Sequence, residues 1–119
     1  MTSEIRARQP EVTASAKLTA MFVVQYRWRL LPGTEDTFRT AWRTMTVAIR
    51  ARHGTAGSRL HRTDDGELVA YAVWPSRQAW EAAQVQASSH PEAGAAMRAC
   101  IAHSDGPMPL EILDDLLSL

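Results

Sequence analysis

Met21-Phe-Val-Val-Gln-Tyr-Arg-Trp-Arg-Leu-Leu31 alternates residue by residue. Phe22, Val24, Tyr26, Trp28 and Leu30 fall on one side, and Val23, Gln25, Arg27 and Arg29 on the other. Aromatic and β-branched residues in that pattern predict a strand with one apolar face to bury and one largely polar face. Pro32-Gly33 stops the strand. Thr34 then stands at an N-cap position, with Glu35 and Asp36 in the first turn, where the helix dipole favours carboxylates.

Beyond that turn the periodicity changes. Phe38, Trp42, Met45 and Ile49 recur at helical spacing, with Arg39, Arg43 and Arg50 on the wet sides. Arg50, Arg52 and His53 close the last turn, and Gly54 suits the stop. Ser58 to Thr63 reads as a short strand, Asp64-Asp65-Gly66 as a hairpin turn, and Glu67 to Trp74 as the returning strand. That strand is apolar on both faces, which places it inside a sheet. Pro75 ends it, Ser76 caps a second helix carrying Trp80, and Ser88 to Pro91 interrupts that helix. The restart at Pro91 carries Ala93, Ala96, Met97, Cys100 and Ile101 along one side and is expected to run to Asp105-Gly106-Pro107, with His103 near its end as a C-terminal cap. Met108 to Leu113 is the last predicted strand.

The resulting order is βαββαβ. It predicts an α+β, ferredoxin-like domain with a four-stranded antiparallel sheet and its helices on one face. The other sheet face has no cover within the chain. Two copies pairing face to face would close a dimeric α+β barrel, so a homodimer is expected.

Composition narrows the function classes. The chain has 119 residues, 45% of them apolar, which fits one domain with one core. Thirteen Lys and Arg balance thirteen Asp and Glu, so no net field draws the chain to nucleic acid or to an anionic membrane. Cys100 is the sole cysteine, no intrachain disulfide is possible, and a reducing cytoplasm is the expected compartment. Its apolar setting predicts a buried structural thiol. Residues 1–19 hold no apolar run long enough for a signal peptide or a span and read as a flexible arm; the domain is expected over residues 20–119.

Three segments carry a family pattern: Arg-Leu-Leu-Pro-Gly-Thr34 leading into a helix, the glycine-containing strand and hairpin, and above all Val73-Trp-Pro-Ser-Arg-Gln-Ala-Trp80 at the strand-to-helix turn. Over residues 21 to 113 the chain resembles the antibiotic biosynthesis monooxygenase (ABM) family of dimeric α+β barrels. That family includes oxygenases that oxidise aromatic polyketides without metal or flavin, haem-degrading enzymes, and members without a known activity. The haem-degrading branch uses an Asn on the first strand and a Trp and a His in the second helical region. Tyr26, Ala83 and Ala93 stand at those positions here, with His90 three residues before the last, so the resemblance does not extend to haem degradation.

The resemblance implies a monooxygenase of a small aromatic or quinol-type substrate that needs no cofactor. Tyr26, on the face toward the helices, is the candidate to hydrogen-bond a substrate oxygen. His90 is the candidate base. Trp28, Trp42, Trp74, Trp80, Ala83 and Met97 are the expected pocket. Each tryptophan can equally be plain core, and Tyr26 an ordinary core tyrosine. A non-catalytic dimer binding a small hydrophobic ligand is therefore the alternative. Arg27, Arg29, Arg59 and Arg62 would form one anion-binding patch if their strands are neighbours. No His, Cys, Asp or Glu set has metal-ligand spacing, and no glycine loop for phosphate or nucleophile elbow is present.

Overall fold

The computed structural model describes residues 21–117; the arm expected over residues 1–19 lies outside them. The elements run β1 (Phe22–Leu30), α1 (Glu35–His53), β2 (Gly57–Arg62), β3 (Leu68–Trp74), α2 (Arg77–Gln84), α3 (Pro91–Cys100) and β4 (Ile101–Glu111). The strands form one antiparallel sheet in the order β2-β3-β1-β4. This is the expected βαββαβ arrangement, with β3 inside the sheet as its two apolar faces required.

Register fixes which side chains share a face. Phe22, Val24, Tyr26 and Trp28 of β1 lie opposite Trp74, Ala72, Ala70 and Leu68 of β3. These residues face the helices, and they form two clusters rather than one. Trp28, Leu68 and Ala70 bury Phe38 of α1 and Cys100 of α3 at one end. Phe22, Val24 and Trp74 bury Trp80 of α2 at the other. Phe38 is fully enclosed, its ring centroid 5.0 Å from that of Trp28 at a tilted angle. Burying a side chain of that size contributes about 1.5–3 kcal/mol, so this contact is a main tie between α1 and the sheet. Cys100 is buried and unpaired, as its setting predicted.

The local stops follow their chemistry. Gly54 ends α1 with φ +69°, a left-handed conformation open to glycine, and its N–H donates to the Arg50 carbonyl. The Ser76 hydroxyl accepts from the Ala79 N–H and caps α2. Thr34 occupies the N-cap position of α1 but does not cap it: its hydroxyl donates to the Leu31 carbonyl at 2.7 Å and so ties the turn back to β1.

The last helix and strand divide differently from the sequence expectation. α3 ends at Cys100, and the polar run Ala102-His-Ser-Asp-Gly106 is already strand, paired along β1 from Leu30↔Ile101 to Phe22↔Glu111. Sheet pairing overrides the weak helical pattern there. A bulge between Gln25 and Arg27 absorbs the mismatch, and Gly106 sits in it at φ +105°, where a Cβ would come 2.9 Å from the Gln25 carbonyl oxygen. His103 is consequently a strand residue paired with Asp105 at 3.2 Å, not a helix cap.

The arginine patch also resolves otherwise. β3 separates β1 from β2, so the four arginines do not converge. Arg27 and Arg29 both reach Glu67, Arg62 pairs with Glu35 on α1, and Arg59 meets the Tyr71 hydroxyl. The sheet face opposite the helices carries an apolar part, Val23, Val69, Tyr71 and Val73 with the exposed Met108 and Leu110, and a polar part with Gln25, Arg27, Arg29, Arg59, His61, His103 and Asp105, and no element of the described residues covers it. No described helix is long and apolar enough to cross a membrane.

Candidate functional site

Between the sheet and helices α1 and α3 lies a cavity of about 490 Å³. Its position follows from side-chain size. Where the two core clusters meet, β3 presents only Ala70 and Ala72 to the helices, α3 presents Gly94, and the edge strand presents Gly57 and Ser58. Large residues fill both ends and small ones leave the middle empty. A Cβ on Gly94 would press on the Met45 methyl at 3.1 Å and on the Arg98 guanidinium at 3.4 Å, so glycine keeps this wall back. The volume falls within the usual range of about 300–1,000 Å³ for small-molecule sites.

Tyr26 stands at the junction, packed against both clusters, and lines the cavity. Its ring lies nearly coplanar in orientation with that of Trp28, the centroids 5.7 Å apart. Burial raises its phenol above the ordinary value, and the Trp80 side chain partly offsets the rise. The contact with Trp80 stops short of a hydrogen bond, because the indole N–H of Trp80 is left without a partner. Tyr26 is therefore a protonated phenol at neutral pH, able to donate to an oxygen in the cavity.

Trp28, Trp42, Trp74 and Met97 also line the space, as the sequence led one to expect. Trp80 and Ala83 do not. Trp80 is buried behind the wall with Phe22, Val24 and Trp74, and Ala83 packs beside it. His90 lies elsewhere again. It is the N-cap of α3, its Nδ1 accepting from the Ala93 N–H at 3.1 Å, and it borders a shallow groove between α1 and α3 on the outer surface. The interruption before Pro91 places it there for capping, and the structure does not bring it to Tyr26.

Sequence reasoning missed Met45, Thr46, Ile49, Thr55, Gln84 and Arg98 as lining residues. The available signal was the run of small residues at Ala70, Ala72 and Gly94, which marks where a sheet and helix cannot close. A second, smaller groove of about 320 Å³ lies across Trp42, bordered by Arg39, Arg43, Arg62 and Glu35. Glu35 already engages Arg39 and Arg62 there. Among the described residues, no three His, Cys, Asp or Glu side chains cluster as a metal site would require.

Chemically, the cavity offers flat aromatic walls for a ring, one half-buried phenol as a hydrogen-bond donor, and few groups that carry charge. Among the described residues, no carboxylate or histidine lines it. A ligand oxygen that gains negative charge there would meet the Tyr26 O–H as a hydrogen-bond donor.

Comparison with known proteins agrees with this architecture. The chain is similar to a crystal structure of a mutant of SnoaB, described as a cofactor-independent oxygenase from Streptomyces nogalater, at 20% identity and a TM-score of 0.68, covering 83% of this chain and 99% of that one. It is similar to Rv0793 from Mycobacterium tuberculosis at 21% identity and a TM-score of 0.63, over 82% and 99% of the two chains. The same fold recurs at 12% identity and a TM-score of 0.61 in NE2512 of Nitrosomonas europaea, a protein of unknown function, over 85% and 97%. No curated protein matches the chain. The family profile described as antibiotic biosynthesis monooxygenase matches residues 21–99, and the chain belongs to that family.

Proposed function

We propose that this protein is a cofactor-independent monooxygenase of a small aromatic or quinol-type substrate bound in the cavity at Tyr26. The observation that supports the reading is a half-buried, protonated phenol set among tryptophans in a cavity of about 490 Å³. Family membership and a SnoaB-like fold agree with it.

The chemistry balances without a bound redox group. A CH2 beside an aromatic carbonyl ionises to an enolate, and Tyr26 donates to the enolate oxygen. The anion passes one electron to dioxygen, and recombination forms a C–O bond as a peroxide anion. Cleavage of the O–O bond, with loss of the remaining C–H proton, leaves a carbonyl. One oxygen atom enters the product and the other leaves as water with the two hydrogens of the CH2. The protein binds the ring, lowers the acidity barrier and keeps bulk water from the radical pair.

A homodimer belongs to this reading. The uncovered sheet face offers Val23, Val69, Tyr71, Val73, Met108 and Leu110 to a second copy, with Arg27, Arg29 and Arg59 on the same face as its polar part. Light scattering giving a monomer at micromolar concentration would refute the pairing.

One observation favours a second reading: among the described residues no carboxylate or histidine lines the cavity, and His90 is outside it. The protein would then be a dimeric binder of a small hydrophobic ligand. Oxygen uptake by the metal-stripped protein, measured against anthrones, naphthols and small quinols, separates the two. Chelator-insensitive uptake above the protein-free rate supports the oxygenase. Tight binding without uptake supports the binder.

A further inference from the structure

The cavity carries an unbalanced charge. Tyr26, four hydroxyl- or amide-bearing residues (Thr46, Thr55, Ser58 and Gln84) and apolar side chains make up its walls, and Arg98 is the one charged residue among them. Among the described residues, no Asp or Glu lines the space. Arg27 and Arg29 pair with Glu67, Arg39 and Arg62 with Glu35, and Arg77 with Glu81; Arg43, Arg50, Arg52 and Arg59 make no ion pair among the described residues, but none of them lines the cavity. Arg98 forms no ion pair among the described residues. Its place is built rather than incidental. It sits one turn after Gly94 on α3, and the missing side chain there lets the guanidinium lie along the cavity wall, 3.4 Å from where a Cβ would stand.

We propose that the ligand of this cavity is an aromatic carboxylate, its ring among Trp28, Trp42 and Trp74 and its carboxylate held by Arg98. The proposal rests on the reading of the cavity as the substrate site and adds the substrate's charge class to it. The planar guanidinium matches a carboxylate with two parallel hydrogen bonds, which fixes orientation as well as affinity. Arg98 is exposed while Tyr26 is largely buried, so the two polar groups differ in depth. A ring oxygen goes inward to the phenol and the acid stays toward water, where its desolvation is small. Arg98 thus selects and orients the ligand, and its loss raises KM more than it lowers kcat.

The test is calorimetric titration of the full chain with 2-naphthoate and with its neutral isostere 2-naphthamide at neutral pH. Wild type should bind naphthoate about three- to tenfold more tightly than the amide, the range expected of a partly exposed charge-assisted pair. The preference should shrink with added salt. Arg98→Gln should bring the ratio to about one without changing amide affinity, and Arg98→Lys should retain part of it. Circular dichroism establishes that the variants are folded. Equal binding of the two probes by wild type, or a preference that survives Arg98→Gln, overturns the carboxylate proposal while the cavity stands. Failure of both probes to bind folded wild type overturns the cavity reading and this proposal with it.

Discussion

Replacing Tyr26 by Phe removes one oxygen atom from the cavity and nothing else. If that oxygen donates to an anion that develops during the reaction, its loss should cost about 10²–10³ in kcat, or about 2.7–4 kcal/mol of transition-state stabilisation. Stability should move the other way or not at all. The Trp80 N–H next to it already lacks a partner, so the substitution leaves no newly orphaned group, and a phenol freed from burial spares its own desolvation. The pH response sharpens the contrast. Burial holds the phenol above its ordinary 10.0 in the folded chain, so the unfolded chain gives up its proton first. Wild-type stability therefore falls as pH rises past about 10, and the Phe variant escapes that part of the loss. The assay is steady-state oxygen uptake, with kcat and KM resolved, beside thermal melts at neutral and alkaline pH. A kcat within about threefold of wild type, well short of any oxyanion-donor effect, would refute the catalytic assignment. An equal fall in activity and melting temperature would show that the hydroxyl acts through the fold instead.

Phe38→Ala empties the fully enclosed site between α1 and Trp28 and should cost about 3–5 kcal/mol in urea unfolding, a large share of the stability of such a domain. Gly94→Ala should change stability by no more than about 1 kcal/mol, helix propensity offsetting the contact with Met45. It should nonetheless weaken binding of a naphthalene-sized ligand, read by calorimetry, because the methyl enters the cavity wall. His90→Ala should lose about 1 kcal/mol with the N-cap of α3 and leave oxygen uptake at saturating substrate unchanged. The hydrogen bond from Arg62 holds Glu35 below its ordinary 4.5, against the opposing desolvation and helped by the charges of Arg62 and Arg39. That contribution is present above about pH 4.5 and is lost as pH falls through the depressed value. Wild type should thus lose more melting temperature than Glu35→Gln on acidification.

The parts of the fold that read clearly in sequence are those where local and global preferences agree. β1 alternates because one face is core. α1 keeps its stripe from Phe38 to Ile49 for the same reason, and Gly54 stops it where the backbone turns left-handed. β4 was misread because its residues are exposed and owe their conformation to hydrogen bonds from β1, which leave no hydropathy pattern. The cavity lining was legible at Tyr26, Trp28, Trp42, Trp74 and Met97, which are apolar or aromatic and on predicted inner faces. His90 and Trp80 were misplaced for opposite reasons: a helix break made His90 look accessible, and an aromatic on an inner face made Trp80 look like a wall when it is packing. A cavity is made by residues that are too small, and Ala70 and Ala72 on β3 and Gly94 on α3 form one only once the fold lays that helix over that strand.

The composition of β4 bears on how such molecules behave when crowded. A strand at the border of a sheet ordinarily offers a row of open donors and acceptors on which a foreign strand can stack, the first step toward fibrils. Here that border carries Pro107 and Pro109, two positions apart, with the bulge at Gly106 just before them. Proline has no N–H, and within sheets it is tolerated where that N–H would have faced away from the ladder. The outer rim of β4 is thus stripped of donors and bent over the stretch where it would otherwise be most inviting. Lateral, open-ended growth is disfavoured along this side of the sheet, and β2 is the edge that remains open to it.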